Sequence, residues 1–177
     1  MSDLLSENMV AKDMIFSGKI ISLRVDRVRL PNGEETTREV VQHPGAVAVL
    51  AVTSEQKVIL VRQFRYAIGQ VTIELPAGKL EKGENPLEAA TRELAEETGY
   101  LAKEVKPLLT FYSTPGFSDE VMHLYEATDL VPGSQNLDDD EFVDCLAASK
   151  QEVLQWMEEG KIVDAKTLVG LYRWLLA

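Results

Sequence analysis

The spacing of apolar and polar residues changes several times along the chain, and each change marks an element. The first dozen residues are polar and are expected to be loose. From Ile15 the pattern becomes strand-like. Ile20, Ser22, Arg24, Asp26 and Val28 fall on one face, and Ile21, Leu23, Val25, Arg27 and Arg29 on the other, so both faces are mixed. Leu30-Pro31-Asn32-Gly33-Glu34 is a turn signal, because Asn-Gly accepts positive φ. A returning strand, Thr36 to Gln42, completes an N-terminal antiparallel hairpin or meander. It is too polar for a deep core and suits a partner surface or a pocket edge.

His43-Pro44-Gly45 breaks this run, which suggests an N-terminal β arm over 1–44 and a main domain over 45–177. Ala46 to Val52 is almost wholly apolar and reads as a buried strand. Further strands are expected over Val58–Phe64, Val71–Leu75, Val105–Ser113, Val121–Ala127 and Phe142–Ala147. Asn85-Pro86-Leu87-Glu88 opens a helix: Asn85 caps it, Pro86 fits its first turn and Gly99 ends it. Leu87, Ala90 and Leu94 give it a narrow core-facing stripe. Ser149 and Asp164 cap two later helices, over about 150–159 and 165–176. Mixed strands around one central helix, with helices at the end, predict an α/β (α+β) fold.

Composition narrows the function. Of 177 residues 45% are apolar and 27% charged, the balance of a soluble globular protein, and the net charge of -11 argues against nucleic acid as a partner. Cys145 is the one cysteine, which fits a reducing cytoplasm. No apolar run approaches the roughly 20 residues that span a bilayer. The N-terminus shows no basic region followed by an apolar core, so neither a membrane partner nor a secretory signal is expected.

The chemistry is concentrated in the helix after Gly78. Glu93 and Glu97 sit one turn apart on one face, with Glu96 beside them. Like charges at this spacing repel, and Arg92, four residues from Glu96, relieves part of that. A divalent cation would relieve the rest. Oxygen ligands of this kind suit Mg²⁺, which takes one or two carboxylates plus substrate phosphate. A solvated acidic face is the commoner meaning of a bare glutamate pair, but the surrounding spacing is special.

Gly78-x5-Glu84-x7-Arg92-Glu93-Leu94-x-Glu96-Glu97-x-Gly99 resembles the signature of the Nudix hydrolases. Tyr100 departs from it, standing where the family has an aliphatic residue that packs rather than reacts. The resemblance implies an α/β/α sandwich with a mixed β-sheet, and a Mg²⁺ or Mn²⁺ site. Glu93, Glu97 and the Ala77 carbonyl would be metal ligands, with Glu96 a further ligand or a group orienting water. Arg92 would brace the acids, Glu84 would support the loop-to-helix junction, and Gly78 would let the loop approach the helix.

The flanks Glu74-Leu75-Pro76-Ala77-Gly78 and Tyr112-Ser113-Thr114-Pro115-Gly116-Phe117 resemble the ADP-ribose pyrophosphatase branch of that family, as do Arg38 to Val47 and Val61 to Tyr66. This implies Mg²⁺-dependent hydrolysis of ADP-ribose to AMP and ribose 5-phosphate. Arg62 or Arg65 would meet the diphosphate, and Arg65, Glu74, Glu81 and Ser113 would belong to the pocket. Pro115 stands where the branch carries a proline. The N-terminal hairpin would cross to a second subunit, making a homodimer and placing Leu30 or Arg38 in the partner's adenine pocket. A loop glutamate would activate the attacking water: Glu141, with Asp139 and Asp140 as substitutes. FAD, NADH, a diadenosine polyphosphate or a sugar nucleotide would present the same diphosphate, and a non-catalytic nucleotide sensor is the contrasting class. His43, His123, Cys145, Trp156 and Trp174 read as structural.

Overall fold

The structure, a computed structural model, describes residues 5–137 and 141–177. Two compact units emerge: one takes the described residues up to Gly45 together with Tyr112–Val121, the other those of 46–111 and 122–177.

The first unit is an antiparallel three-stranded sheet of β1 (Asn8–Ser17), β2 (Ser22–Arg29) and β3 (Glu35–Gln42) in that order. The turn from β2 to β3 closes as its residues dictate, with Gly33 at φ 90° and the Leu30 amide donating to the Glu34 carbonyl at 2.8 Å. The N-terminal stretch differs from the loose segment its polarity suggests. It pairs along β2 through two register shifts, and its Met9, Met14, Ile15 and Phe16 side chains remain exposed. Backbone pairing, not burial, makes this a strand, so its side chains carry little periodic signal. After β3, the Val41 amide donates to the Phe117 carbonyl at 2.8 Å and the His43 amide to Asp119 Oδ1 at 2.8 Å, tying Tyr112–Val121 into the same unit.

The second unit contains β4 (Ala46–Val52), β5 (Val58–Arg65), a 3₁₀ turn (Tyr66–Ile68), β6 (Gln70–Glu74), β7 (Ala77–Lys79) and α1 (Pro86–Thr98). There follow β8 (Tyr100–Tyr112), β9 (Val121–Pro132), β10 (Val143–Ala148), α2 (Lys150–Glu158) and α3 (Ala165–Leu175). The sheet order is β10-β5-β4-β9-β8, with β6 on β5 and β7 on β4. β4 is parallel to β9 and antiparallel to β5 and β7, so the sheet is mixed. Among the described residues no helix is long and apolar enough to cross a membrane.

The two faces of β4 explain why it is apolar throughout. Ala46, Ala48, Leu50 and Val52 join a core with Val153 of α2 and Leu171 and Trp174 of α3. Val47, Val49 and Ala51 join a second core with Ala89, Ala90 and Leu94 of α1. The sheet is therefore sandwiched between α1 and the α2–α3 pair, the α/β/α arrangement anticipated above. α1 begins and ends as its caps require: Asn85 Oδ1 accepts from the Leu87 amide at 2.9 Å, and Gly99 takes φ 72°. Leu87, however, is 41% exposed and does not belong to the buried stripe. It lies in the first turn at the edge of the buried arc, which instead passes through Ala89, Ala90, Glu93, Leu94 and Glu97.

Candidate active site

Two of the six buried residues of α1 are acids. Glu93 and Glu97 are almost fully buried on the side of α1 that faces β7. β7 is the short strand after Pro76, paired antiparallel to β4 through Ala77 and Gly78, which extends the ordered backbone past the strand expected to end at Leu75. The Ala77 amide donates to Glu97 Oε2 at 2.9 Å. Gly78 lies so close to Glu93 that a Cβ would fall inside its carboxylate. Only glycine permits this approach.

Burial pushes the Glu97 carboxyl up to about 8; the Ala77 amide opposes this, while the neighbouring Glu93 and Glu141 charges add to it. Burial also raises Glu93, against the pull of Arg92. These two acids are taken out of water without a full compensating charge.

The third acid of the run stands differently. Arg92 Nη1 donates to Glu93 Oε1 and to Glu96 Oε2, each at 2.9 Å, while Nε and Nη2 take both oxygens of Glu84 at 2.9 and 3.1 Å. The bidentate bond to Glu84, foremost, raises Arg92 and in return lowers Glu84. Glu84 also accepts from the Glu81 amide at 2.9 Å, which pins the loop to the start of α1. Arg92 thus braces Glu84, Glu93 and Glu96 and leaves Glu97 untouched.

Among the described residues no group of three or more His, Cys, Asp or Glu side chains forms a ready-made metal cage. The donor set nevertheless fits a hard cation. It is all oxygen, its two buried carboxylates hold positive charge more tightly than free ones, and the missing Cβ at Gly78 lets the strand close onto the Glu93 carboxylate. Glu93 and Glu97 are able to hold such an ion together with waters or phosphate.

A second polar cluster stands at the end of β6. Glu74 is fully buried, yet its carboxyl is held at about 2: burial would raise it, but the hydrogen bonds from Arg65, Lys166 and Thr72 overrule that. Arg65 binds it from both nitrogens, Nε to Oε1 at 2.7 Å and Nη2 to Oε2 at 2.6 Å, and its own pKa is raised mainly by this bond. Arg65 and Glu97 also feel each other's charge, so the clusters are electrostatic neighbours.

Other expected residues stand apart. Arg62 is exposed, 3.4 Å from Asp144, beside a hollow of about 490 Å³ lined by Phe64, Val71, Glu141 and Phe142. Glu81 is exposed. Arg38, Ser113 and Pro115 belong to the first unit. Arg38 is engaged by Glu7 at 2.6 and 3.0 Å, Ser113 Oγ donates to Glu120 at 2.5 Å, and Pro115 lies in the turn where the Phe117 amide donates to the Thr114 carbonyl. Asp138, Asp139 and Asp140 lie outside the described residues.

Sequence reasoning overlooked Lys166, Thr167 and Thr72. Lys166 Nζ donates to Glu74 Oε2 and lies 3.0 Å from Asp164, and Thr167 Oγ1 accepts from the Leu75 amide at 2.9 Å. A signal existed for Lys166: a cation in the first turn of a helix opposes the helix dipole and needs a reason to be there.

Comparison with known proteins agrees with this geometry. The NUDIX domain family matches residues 42–171, and the nucleoside diphosphate sugar hydrolase N-terminal domain matches 9–41. The chain is 50% identical to the ADP-ribose pyrophosphatase of Bacillus subtilis, over 94% of its own length and 91% of that protein's. It is 46% identical to the methanol dehydrogenase activator of Bacillus methanolicus, covering 97% and 94% respectively. A solved structure described as an ADP compounds hydrolase superposes with a TM-score of 0.85 at 21% identity, over 99% of this chain and 97% of that one, a likeness of fold.

Proposed function

This chain belongs to the Nudix hydrolase family, and on that premise we propose that it hydrolyses the diphosphate of ADP-ribose to AMP and ribose 5-phosphate. Glu93 and Glu97 carry the proposal: two buried carboxylates of raised pKa, facing a strand whose Gly78 leaves them room. The substrate choice is supported by the relative from Bacillus subtilis.

Nudix hydrolases use divalent cations, and here we assign Mg²⁺, with Mn²⁺ the alternative, to Glu93, Glu97 and the Ala77 carbonyl. When bound, the ion screens the diphosphate charge and lowers the pKa of a coordinated water. The chain's own groups do the rest. Arg65, held by Glu74, faces the diphosphate, with Arg62 the alternative cation. Glu141, or failing it Glu96, accepts the proton of the attacking water as its oxygen bonds to phosphorus and the bridging P–O bond breaks. Glu81 lines the pocket on the same unit as Arg65. The exposed Met14, Ile15 and Phe16 of β1 are covered by a second copy, which carries Arg38 to its partner's substrate. The setting is the cytoplasm.

A panel of ADP-ribose, FAD, NADH, diadenosine polyphosphates and sugar nucleotides with Mg²⁺, resolved by product chromatography, tests this reading. ADP-ribose is expected to show the highest kcat/KM, and its standing far down the ranking sinks the substrate assignment. Full activity in Glu97→Gln sinks the site. The relative named a methanol dehydrogenase activator favours a second reading, in which the chain acts on a dehydrogenase. Measuring alcohol oxidation with and without the added chain separates the two.

A further inference from the structure

We propose that Lys166 is a positioning residue for the anionic substrate, acting through Glu74 on Arg65. The inference rests on the diphosphatase reading above and goes beyond it, since Lys166 lies on α3, on the opposite side of the sheet from the carboxylate helix.

Four donors surround Glu74, two to each oxygen. Oε1 accepts from Arg65 Nε at 2.7 Å and Thr72 Oγ1 at 2.6 Å; Oε2 accepts from Arg65 Nη2 at 2.6 Å and from Lys166 Nζ. The members differ sharply in exposure: the side chains of Glu74, Lys166 and Arg65 are 1%, 10% and 41% exposed. Arg65 is therefore the member that can meet a ligand, and the others lie behind it.

A buried carboxylate needs one cation, and the bidentate pair with Arg65 already supplies it. Such a pair is self-neutralising, and an arginine bound in it offers little net field to an incoming anion. Lys166 changes that balance. It shares Oε2 of the same carboxylate with Arg65, so Glu74 is divided between two cations and neutralises Arg65 less than it would in an isolated pair. Lys166 has its own counter-ion in Asp164, 3.0 Å away. Asp164 in turn caps α3, where its charge is met by the Thr167 amide at 3.0 Å and by the helix dipole. The dipole cost of a lysine at the second position of a helix, unexplained by packing, is accounted for by this arrangement. Lys166 also holds Glu74, and hence the Arg65 guanidinium, in one orientation.

The test compares wild type, Lys166→Met, Lys166→Arg, Arg65→Gln and the Lys166→Met/Arg65→Gln double variant in steady-state kinetics with ADP-ribose and Mg²⁺, with melting curves alongside. Lys166→Met is expected to raise KM about tenfold with kcat changed less than about twofold, the signature of lost substrate binding. Lys166→Arg restores KM. In the Arg65→Gln background the methionine change has no further effect on KM, because its route through Arg65 is gone. An unchanged KM in Lys166→Met, a fall in kcat alone, or an equal rise in KM with and without Arg65 overturns the proposal. Should Lys166→Met fail to fold, Lys166→Gln is judged by the same criteria. Should wild type not turn over ADP-ribose, the functional reading fails separately. Calorimetric binding of ADP with Mg²⁺ then judges Lys166: about tenfold weaker binding in Lys166→Met supports its role, and equal binding overturns it.

Discussion

Gly78 and Glu93 approach each other so closely that a single methyl group on the one cannot coexist with the present carboxylate position of the other. The obstacle is the far end of a flexible side chain rather than backbone, so Gly78→Ala should fold by swinging Glu93 aside. We expect a melting temperature within a few degrees of wild type, as for changes that leave packing intact, but a loss of about 100-fold or more in kcat/KM. Melting curves set beside kinetics check this, and a variant that unfolds while keeping activity per folded molecule contradicts it.

As the proposed cation ligand, Glu97 would make cation binding depend on pH. Its folded pKa of about 8 lies above its ordinary 4.5, so the folded chain holds this proton more tightly than the unfolded one. Without a divalent ion the resulting stability is present below pH 4.5 and is lost as pH rises through 8. A cation competes with the same proton and stabilises the fold by its own binding. The gain in melting temperature on adding Mg²⁺ should therefore be larger at pH 9 than at pH 6, and chelation should abolish it. A gain independent of pH speaks against Glu97 as a ligand.

Glu74 behaves with the opposite sign. Its pKa of about 2 lies below the ordinary 4.5, so its contribution is present above pH 4.5 and is lost as pH falls toward 2. The full contribution is on the order of 3 kcal/mol. Glu74→Gln should melt lower than wild type at neutral pH and lose less on acidification. Parallel acid limbs for the two proteins refute this.

Glu141 is exposed, yet its charge is felt by both Glu93 and Glu97. Glu141→Gln should lower kcat by about 100-fold, the usual scale for removing a general base, with KM nearly unchanged. If only KM moves, the residue binds rather than activates.

Gly170 packs against Leu75, where an added Cβ would collide with the leucine Cδ1. Gly170→Ala should destabilise the fold by about 1–3 kcal/mol, the usual cost of overpacking a core. Urea titration reads this directly, and an unchanged midpoint excludes it.

The parts most legible in the sequence were those fixed by local chemistry. Asn85 and Gly99 bound α1, the turn through Asn32 and Gly33 closed β2 onto β3, and the apolar run from Ala46 to Val52 was a strand buried on both faces. Arg92 touches Glu96 as the spacing along the helix implied, and it reaches Glu93 and the preceding loop's Glu84 as well. What escaped depends on distant partners. β1 exists through its ladder to β2, β7 through its pairing with β4, and Leu87 is exposed because the sheet meets α1 along a slightly different arc. The helix position of Lys166 could mark it as unusual but could not name its partner, Glu74, which is 92 residues away.

The latch between α3 and the end of β6 has a consequence in time. Lys166 and Thr167 reach back 92 residues to Glu74 and Leu75. During synthesis the glutamates of α1 and the Arg65–Glu74 pair emerge well before α3 exists to secure them. Contacts of such long sequence separation form late, after the loop between them has closed. A nascent chain grown only as far as α1 thus displays the acids without the lysine that tunes their neighbouring arginine, and competence for the anionic substrate arrives as a discrete, late event of folding.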